Sequence, residues 1–148
     1  YDTVNFSKLT GELAYQKLEK FKILVGANFY NYKTRNEIRA WHKPNFKLSL
    51  SGVYDLSDKI VVRVDLFHFS KQYAKMLTTV TTNNTITFTE EAKELKGIID
   101  VNLGLEYRYT KKLSAFIQLN NITSSPYKRW DDYPTQKFGI LGGLTYSF

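Results

Sequence analysis

Apolar and polar residues alternate with a period of two along most of this 148-residue chain. From Phe21 to Phe29 every second residue is apolar, and Lys22 and Asn28 fall between them. A strand places alternate side chains on opposite faces, whereas a helix would put the charged residues inside the apolar stripe. Four further segments repeat the alternation: residues 46–54, 60–66, 99–107 and 113–119. The pattern predicts an all-β, antiparallel fold.

The connections between these segments are of two lengths. Short turns are predicted at residues 16–20, 56–59 and 110–112, and long polar loops at residues 34–43, 77–94 and 121–136. Within the middle loop, the Thr-rich stretch 78–89 around Asn83 and Asn84 has the composition of a protruding hairpin. Alternation of short turns with long loops is typical of outer-membrane barrels, whose periplasmic turns are short and extracellular loops long.

Three features favour membrane-spanning strands over a sheet in water. Each apolar face runs for several residues without a charge, as a strand that crosses a bilayer requires. The opposite faces carry both signs of charge, with Arg63 near Asp65 and Glu106 near Arg108, which suits a polar lumen. Tyrosines lie beside the short turns, where an interfacial aromatic belt would be: Tyr15, Tyr54, Tyr107, Tyr109 and Tyr146. We therefore predict antiparallel transmembrane β-barrel strands in the bacterial outer membrane.

Residues 137–148 carry the sharpest pattern. One face of this predicted strand consists of Phe138, Ile140, Gly142, Leu144, Tyr146 and Phe148. The pattern resembles the C-terminal recognition strand of outer-membrane barrels. The resemblance implies that the barrel-assembly machinery binds this strand during insertion, and that the outer face contacts lipid.

Counting back from this strand gives about seven strands in a meander, the first at residues 6–16. Single-chain bacterial barrels usually have an even number of strands. We therefore expect residues 1–148 to be the C-terminal portion of a single, larger outer-membrane β-barrel domain. If two strands were merged in the count, the chain would be a complete eight-stranded barrel.

A second resemblance involves Leu119-Asn120-Asn121-Ile122, the loop residues Tyr127, Trp130 and Tyr133-Pro134, and the Gly-rich final strand with Gly139 and Gly142-Gly143. These residues resemble the C-terminal end of TonB-dependent receptors. The resemblance implies a barrel of about 22 strands with an N-terminal plug, which imports a nutrient with energy transmitted by TonB. It also implies the remaining barrel, the plug, TonB and a surface lipoprotein as partners.

The residues indicate no catalytic chemistry, and no enzyme activity is predicted. Cysteine is absent, which excludes thiolate metal sites and Cys nucleophiles. His68 falls on the apolar face and His42 at a loop before Pro44, whereas Asp131-Asp132 suits solvated charges; no metal or cofactor is expected. The net charge of +7 is spread over turns and polar faces without a compact patch, so nucleic acid is not an expected partner.

The loop aromatics Trp41, Tyr127, Trp130 and Tyr133 are candidate ligand contacts, since their rings could stack on a sugar or a chelate. The same rings could equally pack the loops or lie at the membrane interface. Two other functions stay open from the sequence. One is a small eight-stranded, OmpA- or OmpX-like barrel with a structural or adhesive role. The other is a soluble, lipocalin-like barrel whose apolar faces point inward around a ligand.

Overall fold

The computed structural model describes residues 3–82, 85–124, 128–130 and 133–148. The described residues form β-strands joined by turns and loops. The strands are β1 (Val4–Lys17), β2 (Phe21–Thr34), β3 (Phe46–Leu56), β4 (Ile60–Phe69), β5 (Gln72–Thr82), β6 (Thr85–Leu95), β7 (Ile98–Arg108), β8 (Leu113–Asn120), β9 (Lys128–Trp130), β10 (Tyr133–Pro134) and β11 (Gly139–Tyr146). In this part of the chain, no helix is long and apolar enough to cross a membrane.

Seven strands form one antiparallel sheet, in the order β1-β2-β3-β4-β7-β8-β11. Two antiparallel pairs, β5 with β6 and β9 with β10, stand apart from it. Neighbours in the sheet are also neighbours along the chain, apart from the two insertions. The predicted all-β meander of about seven strands is confirmed, and β1 and β11 extend over nearly the residues expected for the first and last strands.

The register of the strands sorts the side chains onto two faces, as predicted. On one face Leu50 is paired with Val25 and Leu66, and Leu66 is paired with Val101. On the other face Ser51 is paired with Asp65, which is paired with Asn102, and the Ser51 hydroxyl donates a hydrogen bond to the Asp65 carboxylate. Cross-strand rows of this kind are the unit of sheet stabilisation. We call the two sides the apolar face and the polar face.

The apolar face has no cover from within the described chain. The buried aliphatic side chains of the described chain lie elsewhere: Val61 and Ile98 have the parity of the polar face, and Ala74 and Leu95 belong to the β5–β6 hairpin. The total accessible surface is 11329 Å², whereas a soluble monomer of 17.3 kDa would expose about 7,800 Å². Much of this exposed surface belongs to large apolar side chains, among them Phe29, Ile99 and Leu144, and a contiguous exposed apolar face marks contact with a membrane or with protein. A lipocalin-like barrel, with its apolar residues turned inward, does not fit this arrangement.

The three short turns lie where the sequence predicts them. In the turn between β3 and β4, Ser57 and Asp58 both have positive φ, 58° and 59°, as a tight hairpin turn with right-handed strand twist requires. In the turn between β7 and β8, the Thr110 hydroxyl accepts hydrogen bonds from the backbone N–H groups of Lys112 at 3.2 Å and Leu113 at 3.0 Å.

The predicted long loop at residues 77–94 is wrong in extent. These residues belong to β5 and β6, which pair from Gln72 with Leu95 as far as Thr82 with Thr85. The polar composition suggested a loop, but threonine is β-branched and favours strands, so the hairpin is longer than its Thr-rich part. At its base Gly97 crosses close to the chain between β4 and β5: a Cβ on Gly97 would lie 2.8 Å from the Phe69 carbonyl oxygen.

Two edges of the seven-stranded sheet are open. Among the described residues β1 pairs with β2 alone and β11 pairs with β8 alone. All of β1 is exposed. The sheet does not close on itself, which counts against a complete eight-stranded barrel.

Candidate functional site

A cavity of about 820 Å³ lies on the polar face, at the edge of the sheet that carries the long connections. Its lining includes side chains from β2, β4 and β7 and from the loop between β2 and β3. A volume of this size is within the range of small-molecule sites. This cavity is the candidate functional site.

Aromatic rings form one wall of the cavity. The rings of Tyr30 and Tyr32 are parallel, with centroids 5.8 Å apart and an interplanar angle of 5°, and Phe6 lies 6.3 Å from Tyr32. The Tyr32 hydroxyl donates a hydrogen bond to the Pro44 carbonyl oxygen at 3.4 Å, which ties this wall to the loop. Phe67 and Phe69 add two further rings from β4.

Lysine ammonium groups lie against this aromatic wall. The Lys47 Nζ is 5.5 Å from the Tyr30 ring centroid and 5.6 Å from that of Phe69, and the Lys8 Nζ is 5.8 Å from Tyr30. All three distances fall within the range of cation–π attraction. The register explains the arrangement, because Lys47 is paired directly with Phe69 and Lys8 with Tyr30.

The loop between β2 and β3 is joined to the β5–β6 hairpin by an ion cluster of Glu37, Lys75 and Glu90. The Trp41 indole N–H donates a hydrogen bond to the Glu37 carboxylate at 2.8 Å. The Lys75 Nζ lies 3.0 Å from the same carboxylate and 2.7 Å from that of Glu90. Hydrogen bonds to Glu90 and Glu37 raise the pKa of Lys75 above its ordinary value. Through this cluster the hairpin holds Trp41 at the cavity.

Further contacts join the loop to the base of the hairpin. The Arg39 guanidinium lies 4.0 Å over the Tyr73 ring, and the His42 N–H donates to the Tyr73 carbonyl oxygen at 2.8 Å. Beside them Lys71 and Glu94 form an ion pair at 3.0 Å. The hydrogen bond from Lys71 lowers the pKa of the Glu94 carboxyl.

A second network fixes the chain after β8. Asn121 is buried, with φ of 49°. Its side-chain amide donates to the Gln136 carbonyl oxygen at 2.9 Å, and its backbone N–H donates to the Asn102 side chain at 2.9 Å. The Thr123 hydroxyl donates to the Asn121 side-chain oxygen at 3.0 Å. The Asn121-Ile122 part of the sequence motif is therefore a turn device that anchors the following loop to the sheet.

The charges predicted for the polar face are joined across strands near the short turns. Arg63 pairs with Glu106 at 3.2 Å, and Arg108 lies 3.3 Å from both Glu106 and Asp55. Each charge is matched by one of opposite sign, so this network holds β3, β4 and β7 together and leaves no excess charge of its own. Within the described residues, no three His, Asp or Glu side chains converge to hold a metal ion.

The predicted ligand contacts have different outcomes. Trp41 lines the cavity. Tyr127 lies outside the described residues, as do Asp131 and Asp132. For Trp130 and Tyr133 the structure describes the backbone alone, where the two residues are paired between β9 and β10.

The histidines show no catalytic arrangement in the described structure. His68 is paired with Leu48 and Ile99 on the apolar face, as predicted, and its Nδ1 is 2.7 Å from the Ile98 carbonyl oxygen. His42 lies in the loop before β3 and lines the cavity.

Sequence reasoning missed most of the aromatic wall. Tyr30, Tyr32, Phe67 and Phe69 lie in strands at positions of polar parity, alongside Asn28 and Asp65. The signal that would have identified them is an aromatic residue at a position of polar parity. A large ring on the polar face is expected only where a ligand or a neighbouring loop packs against it.

The predicted assembly strand presents its apolar residues on one exposed face. Ile140 is 64% exposed, Leu144 76% and Phe148 104%; Phe138, Gly142 and Tyr146 have the same parity. On the opposite face the Phe116 ring of β8 covers Gly143, where an added Cβ would lie 2.8 Å from the ring. The role of this strand in assembly stays a prediction.

Comparison with known proteins gives a structural result alone. No family model matches the sequence, and no curated protein matches it. Among solved structures, the pyoverdine outer membrane receptor FpvA from Pseudomonas aeruginosa PAO1, bound to pyoverdine, matches 98% of this chain with a TM-score of 0.77 and 16% identity. The receptor of the FpvAI–pyocin S2 complex matches 99% of the chain with a TM-score of 0.78 and 16% identity.

The chain spans about a fifth of these receptors, 22% of the first and 20% of the second. They are receptors rather than enzymes. At this identity the match shows the fold. The predicted resemblance to TonB-dependent receptors is thereby confirmed for the fold, and the chain has the architecture of part of an outer-membrane receptor barrel.

Proposed function

We propose that this chain is part of the barrel wall of a TonB-dependent receptor that imports a nutrient across the bacterial outer membrane. The observation that carries the proposal is the sidedness of the sheet. Its apolar face is exposed, its polar face carries a charge-paired network near the short turns, and the chain superposes on a receptor barrel over 98% of its length.

The open edges of β1 and β11 support further barrel strands as partners. A strand edge leaves backbone N–H and C=O groups without partners, and in hydrocarbon each such group costs several kcal/mol. Strands that pair with both edges would satisfy these groups. The 22% share of the receptor chain leaves room for such strands and for a plug. In this proposal lipid covers the apolar face, and the assembly machinery, TonB and a surface lipoprotein are transient partners.

Single-cysteine labelling in cells tests the orientation, because these 148 residues contain no cysteine. In the full-length protein we would place one cysteine at Phe88 of the hairpin, which is 71% exposed, or at Leu18 of the first turn, which is 75% exposed. A membrane-impermeant maleimide should label Phe88→Cys in intact cells, and Leu18→Cys after the outer membrane is permeabilised. Labelling of both sites in intact cells would refute the proposed topology.

Import is tested by a growth comparison. Strains that lack this gene, lack TonB, or lack both are grown on a panel of limiting iron chelates, cobalamin and glycans. The proposal expects the same nutrient to fail in the two single deletions, without further loss in the double deletion. A nutrient defect from the gene deletion that occurs independently of TonB would overturn TonB-dependent import while leaving the membrane topology intact.

A further inference from the structure

The charges of the cavity define the kind of ligand that fits it. Among the described residues, three lysines, Lys43, Lys47 and Lys96, line the cavity with a single carboxylate, that of Asp100. No carboxylate of the described residues forms an ion pair with any of these lysines. The described part of the lining therefore carries more positive than negative charge, in contrast to the balanced network near the short turns.

Lys47 is the best placed of these cations. Its ammonium lies near the rings of both Tyr30 and Phe69, at 5.5 and 5.6 Å from their centroids. Ring faces attract the cation but do not neutralise it. The Lys8 ammonium is 5.8 Å from the same Tyr30 ring, so two positive charges flank one aromatic side chain. An anion placed among them gains attraction from both.

The walls beside Lys47 are flat and aromatic. Tyr30 and Tyr32 are parallel within 5°, and Trp41 is held at the cavity by its hydrogen bond to Glu37. Aromatic rings prefer offset-stacked or edge-to-face partners. A ligand with a planar ring can stack here while its acidic group reaches the ammonium, whereas a neutral sugar would leave the lysines unmatched.

We propose that the cavity binds an aromatic ligand that carries an anionic group, and that Lys47 determines this preference. The inference deepens the proposed receptor function and rests on it for its biological meaning, while its test is binding to the purified protein. Because a hydrogen bond to a charged group contributes about 1.5–3 kcal/mol, loss of the Lys47 charge should weaken binding of the anion by tenfold or more.

The test uses four probes and the full-length protein in detergent, with binding measured by calorimetry. The probes are 2-naphthoate, its neutral analogue 2-naphthamide, cyclohexanecarboxylate and maltotriose. We expect saturable binding of 2-naphthoate, with 2-naphthamide and cyclohexanecarboxylate each at least tenfold weaker and maltotriose undetectable. Tighter binding of maltotriose or of 2-naphthamide than of 2-naphthoate would overturn the proposal.

Substitutions separate the charge of Lys47 from its packing. Lys47→Gln should weaken 2-naphthoate at least tenfold and leave 2-naphthamide unchanged, and Lys47→Arg should restore binding of the anion. The control is Lys22→Gln, an exposed lysine on the same face near the first turn, which should change neither affinity. Equal loss for both probes in Lys47→Gln, or no loss, would refute the role of Lys47. Failure of all four probes would refute the ligand class, whereas the cysteine labelling and growth comparison report separately on the receptor function.

Discussion

Replacement of Gly97 by alanine tests the crossing at the base of the β5–β6 hairpin. The added Cβ would lie 2.8 Å from the Phe69 carbonyl oxygen, 3.1 Å from the Lys71 nitrogen and 3.2 Å from the Ser70 carbonyl carbon. All three are backbone atoms, so no side chain can turn away. Ordinary contact begins at 3.4 Å, and the shortfall at Phe69 is 0.6 Å (3.4 minus 2.8). Because φ of Gly97 is not positive, the strain comes from this contact and not from the backbone conformation.

Overpacking of this kind typically costs about 1–3 kcal/mol, and Gly97→Ala should lower the free energy of unfolding by that amount. The measurement is a urea titration of the full-length protein in phospholipid vesicles, followed by tryptophan fluorescence. Gly11→Ala is the matched control, since nothing lies within 4 Å of its added Cβ. In a strand alanine is favoured over glycine by roughly 0.5–1 kcal/mol, so the control should be neutral or slightly stabilising. Equal unfolding free energies for the two variants would refute the close crossing.

Three further predictions concern the rest of the chain. Gly143→Ala should cost less than Gly97→Ala, about 1 kcal/mol or below, because the clashing atoms belong to the Phe116 side chain, which can shift to another rotamer. Asn121→Ala should lower the free energy of unfolding by about 1–3 kcal/mol, since it removes two side-chain hydrogen bonds at a residue with φ of 49°. The Lys71–Glu94 pair lowers the pKa of Glu94, so its stabilisation of the hairpin base is present above pH 4.5 and is lost as the pH falls through the lower pKa of the folded state. Hydrogen exchange of the hairpin amides measures that loss. It is followed from about pH 3 to about pH 7, roughly the range in which carboxyl groups titrate.

Each of these has a result that would contradict it. For Gly143, the cost should disappear in a Phe116→Ala background, and an undiminished cost would place the clash elsewhere. For Asn121, glycine should recover the part of the loss that is due to positive φ; alanine and glycine variants of equal stability would exclude backbone strain as a contributor. For Glu94, the pH dependence should be absent in Lys71→Met, and its persistence there would assign the effect to another group.

The fold followed from the sequence because one signal, the period of two, determines both the strands and their faces. A shift of register by one residue would carry Leu50 or Leu66 to the polar side, so the apolar row fixes the pairing. The short turns could be predicted equally well, since a tight turn leaves few residues between two alternating segments. The β5–β6 hairpin was harder to predict, because its polar residues suit a loop as well as a strand that is exposed on both faces.

The cavity could not be assembled from the sequence in the same way. Lys47, Phe69 and Tyr30 come from three strands, and their proximity depends on the exact register at the loop edge. Of the loop aromatics named from the sequence, Trp41 lines the cavity, and its contact with a ligand stays a prediction; the rings within the strands were not named. The period of two assigns these positions to the polar face, and it does not explain why aromatic residues occupy them.

The β5–β6 hairpin is inserted between β4 and β7 without interrupting their pairing, so the length of the hairpin and the structure of the barrel wall can change independently. β4 and β7 pair along their whole length, from Ile60 with Tyr107 to Phe69 with Ile98, as if the hairpin were absent. Each doubling of a connecting segment adds only about 0.6 kcal/mol of closure entropy. Evolution can therefore lengthen, shorten or replace the hairpin with little effect on the wall that carries it, and an engineer could graft an epitope or a binding peptide at the same place. Gly97 is the condition for such exchange, because any substitute segment must still leave the crossing at its base free of a side chain.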